Sequence, residues 1–133
     1  MRTRSQRDAE QIYRQVQEAA ANLDGPARVR YAGWCHRFPV LVLRAGLAEA
    51  AAFLEAKAGG NAAAAEGDRG FLQHLGATLN TPRGLAIDAR EADLVHYRAL
   101  TRRCLEVAVW YKRYAESVLG MTAADADREA GDA

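Results

Sequence analysis

A chain of 133 residues and 14.5 kDa has the usual size of one folding unit and is too short for two sizeable cores. Half of its residues are hydrophobic and 26% are charged, which excludes the composition of a disordered chain. A formal net charge of +1 excludes a strongly basic protein, and 29 alanines against three prolines favour an all-α fold.

The first predicted element is an amphipathic helix from about Thr3 or Ser5, with Ala9, Ile12, Val16, Ala19, Ala20 and Leu23 at helical spacing. Asp24, Gly25 and Pro26 end it. A short second helix follows over about Ala27 to Arg37, with Tyr31, Trp34 and Cys35. Pro39 disfavours helix at the residue before it and suits a first turn, so a boundary is expected at Phe38 and a third helix over about Pro39 to Lys57. On its wheel Val40, Leu43, Leu47, Ala50, Ala51 and Leu54 share one side, and Leu41, Ala45, Ala48 and Ala52 form a second apolar strip. Such a helix is central in the fold or docked on a partner.

Ala58 to Gly70, with four glycines around an alanine run, reads as a mobile surface connection. Asp68 is placed to cap a fourth helix whose stripe is Phe71, Leu72, Leu75 and Leu79. After a short turn of helix at Leu85 to Ala89, the longest element is predicted over about Glu91 to Leu119, roughly 43 Å at 1.5 Å per residue. Its seam is Leu94, Tyr97, Thr101, Cys104, Ala108, Tyr111, Ala115 and Val118. Val107 to Tyr111 is apolar almost all round, so Trp110 is either wrapped in the core or an anchor for a partner. Five or six helices in a compact bundle over residues 1–120 are therefore expected. Residues 121–133 hold four carboxylates against Arg128 and read as a disordered acidic tail.

That division changes the meaning of the net charge. The tail carries −3 and the body +4, with 17 cations against 13 anions. Sixteen of the 18 cations are arginine, the residue that forks onto phosphates. Arg28 to Arg44 has four arginines and no carboxylate. On the last helix Arg98, Arg102 and Arg113 fall within about 60° of one another, with Lys112 nearby. Glu106 and Glu116, four residues after Arg102 and Lys112, would make the same face a solvated, salt-bridged one. Arg37 and Arg44 have fewer such neighbours and are better placed for phosphate contacts.

Catalysis has little support. His36, His74 and His96 show no metal-ligand or acid–base spacing, and no phosphate-binding loop is present. Cys35 and Cys104 form no CxxC pair and read as buried thiols. No catalytic residue, metal or cofactor is assigned. With no apolar leader and no run of about 20 apolar residues, a cytoplasmic protein with no membrane partner is expected.

Three blocks carry a resemblance: RTRSQRDAEQIY, Arg2 to Tyr13; FPVLVLRAGLAEAAAFLEAK, Phe38 to Lys57; and YRALTRRCLEVAVWYKRYAESVL, Tyr97 to Leu119. In this order they resemble the small α-helical subunit of the Cmr complex, the type III-B CRISPR effector that targets RNA in antiviral defence. The resemblance implies a non-catalytic ribonucleoprotein subunit, stacked in several copies beside the repeating backbone subunits, with RNA cleavage done by a neighbour. Its partners would be other Cmr subunits, copies of itself, and guide and target RNA. On that basis Arg4, Arg37, Arg44, Lys57, Arg102, Lys112 and Arg113 are the candidates for RNA-backbone contact, and Leu41, Ala45 and Trp110 for subunit interfaces. The rival readings are a helical protein-interaction bundle with no nucleic-acid role, and a small enzyme using Cys35 or His36.

Overall fold

Thr3 opens the first helix with a reciprocal cap. Its hydroxyl accepts from the Gln6 backbone N–H at 3.0 Å, and the Gln6 side chain accepts from Thr3 N–H at 2.8 Å. The computed structural model describes the backbone of residues 1–132 and the side chains of residues 1–131. Among them are seven helices and no strand: α1 Arg4–Asn22, α2 Gly25–Ala45, α3 Leu47–Ala58, α4 Ala65–Thr78, α5 Leu85–Glu91, α6 Leu94–Ser117 and α7 Ala123–Asp132. The fold is all-α, as its alanine content and helical periodicity imply.

Helix α2 is the centre of the bundle and packs on α1, α3, α4, α6 and α7. Its buried stripe runs Ala27, Tyr31, Trp34, Cys35, Phe38 and Val42, straight past Pro39. The boundary expected at Phe38 is therefore absent. Proline inside a helix costs about 3 kcal/mol, but Phe38 and Val42 beyond or beside it are 1% and 3% exposed. Burying each contributes about 1.5–3 kcal/mol, enough to offset the lost ladder bond. The chain breaks instead at Gly46, whose φ of 90° is costly for any residue with a Cβ.

This break resets the helical phase. Leu47, Ala50, Ala51 and Leu54 on α3 are fully buried, whereas Val40 and Leu43, expected on the same face, stand 45% and 72% exposed on the last turns of α2.

Phe71 of α4 sits at the middle of the core, with ring centroids 5.8 Å from Tyr31, 5.7 Å from Phe38 and 5.4 Å from Tyr111. Helix α6 is the longest element, about 36 Å at 1.5 Å per residue. It buries Cys104, Val107, Ala108, Tyr111 and Ala115. The expected seam fails at its first residue, because Leu94 is exposed.

Three polar networks knit the layers. Asp8 of α1 takes both Arg103 guanidinium nitrogens at 2.6 Å. Gln15 donates to Thr78 Oγ1 at 3.0 Å and accepts from Tyr111 Oη at 2.6 Å. Asp68 does not cap α4, which starts at Ala65. It is wholly buried one turn in, accepting from Trp34 Nε1 at 2.5 Å and from Arg30 at 2.9 Å. A buried carboxylate persists only when paired in this way.

The acidic tail differs most from expectation. Residues 123–132 form α7, which docks on α2; Ala133 lies outside the described residues. Thr122 and Asp125 cap one another, each side chain accepting from the other's backbone N–H at 3.2 and 3.0 Å. His36 Nε2 meets Met121 O at 2.8 Å, and Ala126 is fully buried. Composition pointed to disorder because α7 has few apolar residues; local caps and one small contact face hold it instead.

Candidate nucleic-acid interface

Arg30, Arg37 and Arg44 recur every seven residues on α2, which keeps them within about 20° of one face per step. That face borders a cleft of about 570 Å³. Helix α3 contributes Phe53 and Lys57, one turn apart, and α6 contributes Lys112. Ala123, Asp127, Glu129 and Ala130 of α7 form the remaining wall.

Four of the seven expected RNA-contact residues, Arg37, Arg44, Lys57 and Lys112, thus meet in one cleft from three helices, and Leu41 lines it too. Arg4, Arg102 and Arg113 are exposed elsewhere, Arg4 at the start of α1 and the others on α6. Ala45 and Trp110 are half-buried outside the cleft, and Trp110 stacks on Tyr114 with centroids 5.9 Å apart.

Aromatic rings lie under two of the cations. The Arg37 guanidinium is 5.4 Å from the Trp34 ring centroid and Lys57 Nζ is 5.5 Å from that of Phe53. The two rings meet edge-on at 6.0 Å. The result is a continuous row from Lys57 through Phe53 and Trp34 to Arg37, in which ring faces fix long cationic side chains and lower their ordering cost. Phe53 and Arg30 were missed in the sequence, although Phe53 precedes Lys57 by four residues and Trp34 precedes Arg37 by three.

The cations differ in how they are neutralised. Arg30 pairs with buried Asp68 at 2.9 Å and Arg37 with Glu129 at 2.7 Å. Among the described residues no ion pair joins Arg44, Lys57 or Lys112 to a carboxylate. The salt-bridged surface expected on α6 does not form there either. Glu106 lies 3.8 Å from Arg103 instead of pairing with Arg102.

The chemistry open to other residues is narrower. Cys35 and Cys104 are buried free thiols, and burial pushes Cys104 up to about 12 and Cys35 higher still. Neither offers a thiolate nucleophile near neutral pH. Among the described residues no three His, Cys, Asp or Glu side chains gather where a metal ion could be held. Among the described residues no helix is long and apolar enough to cross a membrane. A second cleft, beside α4 and the turn at Asn80 to Gly84, has Arg69 as its one lining cation. Arg69 already donates to the carbonyls of Ala58 and Gly60 at 2.9 and 3.1 Å.

The profile of a CRISPR-associated protein family, Cas_Cmr5, matches residues 4–118. The chain is 42% identical over 119 residues to a protein of Thermus thermophilus described as CRISPR system Cmr subunit Cmr5. That match covers 90% of this chain and 98% of the relative. It is also similar to the crystal structure of a CRISPR-associated Cmr5 family protein from the same organism, with a TM-score of 0.73 and 38% identity over 90% of this chain and 99% of that one. Sequence, fold and coverage agree: the chain belongs to the Cmr5 family of CRISPR-associated proteins.

Proposed function

We propose that the chain is a non-catalytic structural subunit of a type III-B Cmr effector complex in the cytoplasm, and that its basic cleft takes backbone phosphates of the target RNA. Family membership and the relative described as a Cmr subunit support the first part. The observation that carries the second is the convergence of Arg37, Arg44, Lys57 and Lys112 on one cleft. Cations fixed on a rigid scaffold meet phosphates without reading sequence, which suits a complex whose guide supplies the base pairing.

Copies of the chain would stack head-to-tail along the backbone subunits. Val40, Leu43, Leu94 and Val95 are apolar and exposed, and a heterologous contact between unlike patches extends into a row. Catalysis is left to a neighbouring subunit, in keeping with the buried thiols of Cys35 and Cys104 and with the His36 ring held on a backbone carbonyl.

The test is the salt dependence of target-RNA binding by the reconstituted complex carrying R44A/K57A/K112A. Each phosphate contact on a single strand contributes about 0.7 to the slope of log K against log salt, so the slope should shallow by about 2 per copy that touches RNA. An unchanged slope with intact assembly would refute the cleft as an RNA site.

A further inference from the structure

Helix α7 is an unusual neighbour for a phosphate site. It lies beyond the family match, which ends at residue 118, and it brings Asp127 and Glu129 into the cleft that Arg44, Lys57 and Lys112 line. Glu129 reaches Arg37 at 2.7 Å across Gly33, where an added Cβ would come within 3.2 Å of the Glu129 carboxylate. A side chain at position 33 would crowd the tip of that carboxylate by a few tenths of an ångström. Asp125 instead bonds Arg128 on α7's own surface, so it serves the cap while Asp127 and Glu129 border the cleft.

The apolar hold on α7 is small. Its docked side is mostly alanine: Ala126 is fully buried, and Ala123 and Ala130 border the cleft while staying exposed. A ten-residue helix is marginal by itself in water, so release from α2 would also loosen its structure. Weak apolar contact combined with matched charge is the pattern of a segment that yields to a stronger anion.

We propose that α7 is a displaceable acidic cover, whose Asp127 and Glu129 carboxylates occupy the place that phosphates of single-stranded RNA take once α7 swings off α2. The inference rests on the reading of the cleft as an RNA-backbone site. It adds that one copy, alone, is held in a low-affinity state. A cover that leaves the cleft open in about one molecule in ten lowers apparent affinity about tenfold.

The full-length chain serves for the test, with a single-stranded oligouridylate as probe at low ionic strength. A126Q undocks α7 by overfilling a buried site without changing charge. D127N/E129Q removes the carboxylates and leaves the helix. Both should tighten binding about tenfold, whereas E49Q, which removes an exposed carboxylate away from the cleft, should not. Adding the oligonucleotide to the unaltered chain should speed hydrogen exchange of the α7 amides and not those of α4. Unchanged affinity in A126Q and D127N/E129Q, or unchanged α7 exchange, overturns the cover while R44A/K57A/K112A still weakens binding. If R44A/K57A/K112A binds like the unaltered chain, the RNA-site reading itself fails and the cover with it.

Discussion

Gly67 and Gly70 lie three residues apart on α4, and alanine should have opposite effects at the two. A Cβ on Gly67 would sit 2.0 Å from the Ala27 carbonyl oxygen, 2.9 Å from its carbon and 3.0 Å from Tyr31 N. These are backbone atoms of α2, which cannot rotate aside as a side-chain tip does. The nearest contact falls roughly 1.4 Å short of ordinary van der Waals distance, so the two helices must part. Their separation would loosen Phe71 against Tyr31 and stretch the Trp34–Asp68 bond. Overpacking costs about 1–3 kcal/mol, and a backbone clash belongs at the upper end. Alanine's helix preference over glycine returns about 1 kcal/mol. The net loss is about 2 kcal/mol, or a Tm lower by about 6–8 °C in a domain of this size. At Gly70 a Cβ would meet Tyr31 and Leu23 side chains at 3.5–3.8 Å, an ordinary contact. There alanine should stabilise by up to about 1 kcal/mol. Thermal unfolding followed by far-ultraviolet circular dichroism reads both. A G67A melt at or above that of the unaltered chain would refute the close approach of α2 and α4, and so the placement of the α2 face that carries the arginines.

Two further outcomes follow from burial. Trp110 is half-buried and stacked on Tyr114, so W110A should cost about 2 kcal/mol, less than the 3–5 kcal/mol typical of a fully buried tryptophan; a urea midpoint unchanged by W110A would make it an interface anchor alone. His74 is lowered from its ordinary 6.5, chiefly by burial, with Glu18 at 3.8 Å opposing the shift. Tyr31 Oη contacts its Nδ1 at 2.6 Å. The unfolded chain binds the proton first as pH falls, so stability is full above about 6.5 and declines below it until the folded state also protonates. Urea midpoints between pH 7.5 and 5.5 should fall with acidification, and H74Q should flatten the decline; a midpoint that rises instead, or a slope H74Q leaves intact, contradicts a neutral, half-buried ring.

Much of the fold was legible because one period served each element. Ile12, Val16 and Ala19 on α1 and Phe71 and Leu75 on α4 are buried as their spacing requires. The reading failed where two signals competed. Pro39 is a strong local stop, but Phe38 and Val42 bury more than the proline costs, and the backbone of Gly46, invisible in composition, makes the turn. Asp68 has the type and position of an N-cap, yet Trp34 and Arg30, more than 30 residues earlier, supply the partners that let it be buried. At the site, residue type marked Arg37, Arg44, Lys57 and Lys112, but their convergence depends on how α3 and α6 cross α2. Arg4, Arg102 and Arg113 carry the same charge and lie apart from that crossing.

On the proposed reading, cations left over in the cleft also account for a near-neutral protein in an RNA-targeting assembly. With Arg30 committed to Asp68, and Arg37 to Glu129 until α7 is displaced, Arg44, Lys57 and Lys112 are the cleft cations that no described carboxylate pairs. Three contacts on a single strand give a salt slope of only about −2, a weak hold that little distinguishes one RNA from another. Copies fixed in a row behave differently, because each further contact becomes intramolecular and draws on the effective concentration set by its neighbours. On the proposed reading, low charge per copy is a means of discrimination. A strongly basic subunit would bind any RNA before assembly, whereas this one gains a useful grip only when the guide has already placed a target along several clefts at once.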